Sequence, residues 1–355
     1  MEVGEMEMLD GEKWICNDHV IIDNSLIFYA NGAFWKTDLS TRQTMYSSKI
    51  KNIEQIQKRG VGYLVLLNKT LFIISWSPMI VAYYDIELNV ITDIYEDEKA
   101  TASFISLEKW NNHLYLFRRN ADEVIILCES GDYKRISFLP NVDKKNMRGC
   151  KLDDEMFFFT SFGSSYYKYD FKENVMSMEK MPFSLDNMQD ATVYNQKIYI
   201  LCEKNIIIWD GNEKIDYIDL KKDNSCDLIR GMMIPLKDKL YVLPRTEDNI
   251  ICIKYDGTVY KYGDYPEDYH YTQSDAWLKI GSKYYSYEKK DGVYYFPRKS
   301  TNYMLTIDEN RQDIIWVSVQ EPSDREEIKR KISENKKSFE ERGYLSGLIE
   351  YIKYE

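Results

Sequence analysis

Three Arg-Gly pairs are the residues in this sequence best suited to chemistry. Arg59-Gly60, Arg148-Gly149 and Arg230-Gly231 each stand at the start of an apolar run. A guanidinium holds a carboxylate or phosphate by charge-assisted, often bidentate, hydrogen bonds. The three arginines lie eight, four and six residues before Leu67, Leu152 and Leu236. All three spacings are even, so the residues share strand parity but not height. Brought to one rim, they would hold an anion. Arg119, Arg245 and Arg298 follow other apolar runs and join the candidate set. Sugar binding is the second candidate chemistry, because Trp and Tyr rings stack on sugar faces. Trp76 sits beside Pro78 in SWSPM, and Tyr269, Tyr271 and Trp277 lie in a Tyr-rich acidic stretch, 265–283. Against both readings stand ordinary structural roles: arginines paired with acids at strand ends, and aromatics packed between sheets.

Signals for catalysis are thin. The histidines are His19, His113 and His270, and none stands in a local Ser/His/Asp or Cys/His signature. Metalloprotease, EF-hand and P-loop patterns do not occur. No catalytic residue, metal or cofactor is assigned, and the sequence points away from an enzyme. A paired-carboxylate hydrolase is the enzymatic alternative. A recurrent acid invites a metal reading: Asp38, Asp85, Asp170, Asp210, Asp256 and Asp308, with Glu129 in the remaining place. Turn chemistry accounts for it better, since Asp bonds backbone amides just ahead of it and Gly or Asn follows nearby. Cys16, Cys128, Cys150, Cys202, Cys226 and Cys252 show no CxxC spacing; those inside apolar runs read as small buried hydrophobes.

The elements that must position these residues recur along the chain. Short apolar runs centre on Ile27, Phe72, Tyr115, Phe157, Tyr199, Tyr241 and Tyr294, at intervals of 45, 43, 42, 42, 42 and 53 residues. The last interval carries an insertion of about ten residues beyond the repeat, near 266–281. The runs are apolar on consecutive residues, as in Leu240-Tyr241-Val242-Leu243. An antiparallel strand with one wet face alternates, so these strands must be covered on both faces. Repeated four-stranded antiparallel units, each sandwiched between two neighbours, describe a β-propeller.

The fold class is therefore all-β: a seven-bladed β-propeller of four-stranded antiparallel blades with a short C-terminal helical tail. The blades are expected at about 15–50, 51–98, 99–139, 140–180, 181–221, 222–265 and 266–320, together spanning 15–320. Residues 1–14 are read as an N-terminal segment, with two alternatives: an extra edge strand that helps close the ring, or a loose end. Residues 321–355 form the tail, opened by the capping box Ser323-Asp324-Arg325-Glu326. Its second apolar stripe, Leu345, Leu348, Ile349 and Ile352, has helical spacing. In repeat length and hydrophobic pattern the chain resembles a degenerate Kelch-type bacterial propeller, without the double glycine of Kelch second strands. That resemblance implies a fold and no functional residue.

A formal net charge of −11 excludes ready nucleic-acid binding, which needs clustered Lys and Arg. No run of eighteen apolar residues and no leader-like N-terminus is present, so no membrane partner and a cytoplasmic location are expected. The function expected is a non-enzymatic binding or scaffold module engaged in protein–protein interaction. The alternative is a glycan- or anionic-ligand-binding propeller, or a hydrolase, with its site at the channel mouth.

Overall fold

The computed structural model describes residues 16–30, 33–46, 61–75, 79–85, 90–97, 103–119, 121–139, 142, 144, 147–213, 215–221, 231–244, 250–266, 287–296 and 303–318. The expected closing segment 1–14 and helical tail 321–355 lie outside them. Regular structure among the described residues is entirely β-strand. It forms seven antiparallel sheets of four consecutive strands, a seven-bladed propeller. Blade 1 is β1 (Cys16–Ile22), β2 (Ser25–Ala30), β3 (Ala33–Asp38) and β4 (Thr44–Tyr46). Blade 2 is β5 (Val61–Leu67), β6 (Thr70–Ser75), β7 (Met79–Asp85) and β8 (Val90–Asp97). Blade 3 is β9 (Phe104–Trp110), β10 (His113–Arg118), β11 (Glu123–Cys128) and β12 (Tyr133–Ser137). Blade 4 is β13 (Arg148–Leu152), β14 (Glu155–Phe159), β15 (Gly163–Asp170) and β16 (Val175–Leu185). Blade 5 is β17 (Asp190–Tyr194), β18 (Lys197–Leu201), β19 (Asn205–Trp209) and β20 (Ile215–Asp219). Blade 6 is β21 (Gly231–Pro235), β22 (Lys239–Pro244), β23 (Ile251–Lys254) and β24 (Val259–Lys261). Blade 7 is β25 (Glu288–Lys290), β26 (Val293–Tyr295), β27 (Tyr303–Asp308) and β28 (Asp313–Ser318).

Blades 3 to 6 belong to one compact unit. Their second strands show why the sequence runs apolar without alternating. In β14, Met156 and Phe158 join a cluster with Tyr115, Phe117 and Phe138 of blade 3. The intervening Phe157 and Phe159 join Ile198, Ile200 and Trp209 of blade 5. In β18, Ile198 and Ile200 face blade 4 while Tyr199 and Leu201 face Leu240 and Val242 of blade 6. Period-two geometry sends successive side chains to opposite faces, and each face meets a neighbouring blade. Burying one such phenylalanine removes about 1.5–3 kcal/mol worth of apolar surface from water. β16 is the longest strand, and its last part drives Met181, Phe183 and Leu185 into the cluster shared with blade 5.

The tight turns behave as the Asp series suggested. The Oδ1 atoms of Asp38, Asp170, Asp210, Asp256 and Asp308 each accept the amide two residues on, at 2.7–2.9 Å. In the blade 3 turn, where Glu129 replaces Asp, Asp132 accepts the Ser130 hydroxyl instead. Gly257 has a stricter task. It adopts φ +87°, its carbonyl accepts the Lys221 amide at 2.8 Å, and a Cβ there would lie 2.0 Å from the Asp219 carbonyl oxygen. The turn of blade 6 thus docks on the fourth strand of blade 5 through bare backbone.

The second unit holds blades 1, 2 and 7. Here, among the described residues, the chain's first and last blades meet through side chains. The His19 ring, fully buried in β1, places Nε2 2.9 Å from the Tyr295 carbonyl oxygen of β26. A carbonyl only accepts, so Nε2 carries the proton and donates. Asp18 beside it accepts the Leu64 amide of blade 2 at 3.0 Å through Oδ2. Blade 1 is therefore tied to a neighbour on each side by adjacent residues.

Burial lowers the His19 pKa to about 4, against a smaller opposing effect of the Tyr295 carbonyl. The unfolded chain, with an ordinary imidazole, takes up the proton first as pH falls. Stability from the neutral ring is complete above about pH 6.5 and declines toward pH 4, by roughly 3 kcal/mol in total. Denaturant unfolding at pH 7, 6 and 5 should show this fall, and His19→Gln should flatten it. A second expectation concerns the blade 5–6 turn: Gly257→Ala should cost about 2–4 kcal/mol from positive φ and backbone clash, read as a lowered denaturant midpoint at unchanged m.

Candidate functional site

Of the sequence-predicted ligand-binding residues, Arg119 and Arg148 fall among the described residues, both in the unit of blades 3 to 6. Arg59, Arg230, Arg245, Arg298, Trp76 and Trp277 lie outside them, as do Tyr269, Tyr271 and His270. The two described arginines are brought together. Arg119 directly follows β10, and Arg148 opens β13, the first strand of blade 4. Arg119 Nη1 donates to the carbonyl oxygens of Lys144 at 2.9 Å and Met147 at 3.5 Å, and Nη2 donates to Phe104 O at 3.2 Å. Arg148 Nη1 donates to the same Met147 oxygen at 3.0 Å. Two guanidiniums thus meet on one carbonyl.

The local chain explains the convergence. The Arg119 amide donates to Ser103 O at 2.9 Å, which pins the end of β10 against the start of β9. In the described part of the stretch before β13, Leu139 and Met147 are buried. Its Lys144 side chain is also buried and donates from Nζ to Asp122 at 2.5 Å. Arg118 pairs with Glu123, which Arg135 also approaches at 3.3 Å. Of the described carboxylates, Glu123 is therefore engaged by Arg118 and Arg135, and Asp122 by Lys144. The glycines of the Arg-Gly pairs have a separate, steric reason. A Cβ on Gly149 would lie 2.5 Å from Met156 Cε, and one on Gly231 would lie 1.9 Å from the Leu243 carbonyl oxygen.

Sequence reasoning missed a polar device between first strands. Asp190 Oδ2 accepts the Met233 amide at 2.8 Å, joining β17 to β21. Asp18 does the same for Leu64. Both aspartates stand nine residues before their anchors, Tyr199 and Ile27, and both amides stand eight before theirs, Tyr241 and Phe72. Aligning the repeat at that position would have found them. The equivalent place is Ser106 in blade 3 and Arg148 in blade 4. Ser106 donates its hydroxyl to Glu108 Oε1 at 2.6 Å. Burial raises the Glu108 pKa, opposed by the Ser106 bond and by Lys151 and Lys109. Burial also pushes the Cys150 thiol well up, helped by the charges of Asp190 and Glu108. Such a thiol is protonated and a poor nucleophile. No group of three or more His, Cys, Asp or Glu among the described residues could hold a metal ion.

No protein-family model matches this chain. No curated protein matches it either. Among solved structures it is similar to a catalytically inactive virginiamycin B lyase from Staphylococcus aureus with quinupristin. That pair shares 10% identity with a TM-score of 0.56, over 83% of this chain and 94% of that one. A selenomethionine-substituted virginiamycin B lyase from Staphylococcus aureus gives 9% identity and a TM-score of 0.53 over the same shares. Hsv2 of Kluyveromyces lactis gives 9% identity and a TM-score of 0.49, over 86% of this chain and 98% of that one. At these identities the likeness to the lyase structures is one of fold, the β-propeller.

Removing the Asp190 carboxylate tests the inter-strand device. Asp190→Ala leaves the Met233 amide without that acceptor and should cost about 1–3 kcal/mol. Equilibrium urea unfolding measures the loss, and amide exchange at Met233 should quicken.

Proposed function

We propose that this chain is a non-enzymatic binding propeller that engages a protein partner along the fourth strands of blades 3 to 6. The carrying observation is a recurrence: each of these four strands exposes a large apolar or aromatic side chain. They are Tyr133 of β12 (56% exposed), Met178 of β16 (67%), Tyr217 of β20 (53%) and Tyr260 of β24 (38%). A tyrosine presents an apolar body and a polar tip, which suits it to a surface wet in one state and covered in another. Asp216 and Asp219 flank Tyr217 on β20, and the whole chain carries a net charge of −11. The same four strands carry Lys134, Arg135, Lys180 and Lys261, so the partner that fits is a protein face combining apolar side chains with charges of both signs.

Cys128, Cys150, Cys202 and Cys252 stand outside any disulfide, which suits a reducing compartment such as the cytoplasm. Kelch-type membership is the finer family reading drawn from repeat length; the similar solved structures carry other names.

The test is a surface variant combining Tyr133→Ser, Met178→Ser, Tyr217→Ser and Tyr260→Ser. Cross-linking affinity capture from the source cells should retain a stoichiometric partner with the wild-type chain and lose it with the variant, at an unchanged melting temperature. Equal retention by both would remove these strands from the interface and with them this reading.

A further inference from the structure

We propose that the rim between blades 4 and 5 binds a neutral saccharide, with Phe162 as the stacking platform and Asp186, Asn187 and Glu203 bonding its hydroxyls. The proposal does not rest on the outer-strand reading, since it concerns the loops that follow β14, β16 and β18. Phe162 is 62% exposed, while every other phenylalanine with a described side chain is buried. The fold holds it in that place. Thr160 Oγ1 donates to the Phe162 carbonyl oxygen at 2.9 Å. On one side Ser161 O accepts the Met188 amide at 2.9 Å, and on the other Gly163 pairs with Leu185. Phe162 is thus fastened at both flanks to the stretch that carries Asp186 and Asn187. Gly163 adopts φ +103°, and a Cβ there would meet nothing within 4 Å, so backbone conformation rather than crowding calls for glycine.

The polar groups beside the ring are fixed as well. Asn187 Nδ2 donates to Glu203 Oε2 at 3.0 Å, and Gln189 Nε2 donates to Asn187 O and Oδ1, both at 2.9 Å. Among the described residues these bonds leave Glu203 Oε1 and the second Asn187 amide hydrogen for a ligand. Asp186 is exposed, and its Oδ2 lies 4.0 Å from Lys204 Nζ, a weak surface pair. Acceptors and a donor therefore stand together, and a hydroxyl, being both, satisfies either. A pyranose also has an apolar C–H face, the counterpart of an aromatic ring. The apolar surface here is one ring wide: Gly163, Ser164 and Ser184 are small and exposed, and Leu185 and Met188 are buried. A protein partner would need a far larger patch, about 800 Å² on each side. Loops already held by hydrogen bonds lose little entropy on binding.

The experiment uses the full chain with maltotriose, cellotriose, chitotriose and mannotriose as probes and choline as a cationic control. Saturation-transfer NMR on the wild-type chain should show at least one saccharide bound, with transfer strongest to the C–H protons of one ring. Phe162→Ala should weaken that binding tenfold or more at an unchanged melting temperature, and Phe162→Trp should restore it. Glu203→Gln should weaken it severalfold. Because the ligand is uncharged, its affinity should be the same at about 50 and 500 mM salt, whereas a cation held by Asp186 and Glu203 would be released. Absence of transfer to all four saccharides, or binding undiminished in a folded Phe162→Ala protein, overturns the site. Binding of choline without any saccharide also overturns it and makes the rim a cation site instead.

Discussion

Blades 4 and 5 depend on their second strands being covered on both faces. β14 makes the constraint plain: Met156 and Phe158 go one way, Phe157 and Phe159 the other, and all four are buried. Such a strand has no stable existence in a lone four-stranded sheet, because one face would meet water. A blade with such a strand needs a neighbour on each side, and blades 4 and 5 have one. Within the unit of blades 3 to 6 the apolar gain is repeated at each junction. Phe117 illustrates the density, with ring centroids of Phe158, Tyr169 and Phe138 at 5.0, 5.3 and 5.5 Å.

Polar groups are then spent where apolar packing stops. Aspartates close the hairpins by accepting amides, with the turn amides holding the exposed carboxyls of Asp38 and Asp256 below the usual carboxylate range. Asp18 and Asp190 cross from one first strand to the next and satisfy amides that apolar neighbours could not. Arg119 satisfies carbonyls on two elements at once. These bonds contribute modestly one by one. Their larger effect is to fix register, since an apolar interface alone tolerates sliding.

The propeller was legible in the sequence because its signal is local and repeated. Continuous apolar runs at near-constant spacing specify two-sided sheets, and Asp beside Gly or Asn specifies the hairpins. The inter-strand aspartates were not legible from any single repeat, since their acceptor role needs an amide 43 or 46 residues away in the chain. Arg119 reads as a free cation in the sequence because its acceptors, Phe104, Lys144 and Met147, are 15 to 28 residues distant. The Arg-Gly pairs carried two messages in one motif. The glycine answers to steric fit against Met156 or Leu243, and Arg148 answers to the Met147 carbonyl.

Among the described residues all seven sheets consist of four consecutive strands. Each blade is thus a contiguous piece of chain with its own hydrogen-bond ladder. In genetic terms such a chain is modular. Duplication or loss of one whole repeat leaves every remaining ladder intact, and only the side-chain contacts at a junction need refitting. A propeller with a composite blade lacks that freedom, because a cut there splits a ladder. Where blade 1 meets blade 7, through His19 on the Tyr295 carbonyl and Lys290 on the turn at Asp23 and Asn24, the junction rests on side chains that can be refitted, and its acid sensitivity is the cost of the arrangement.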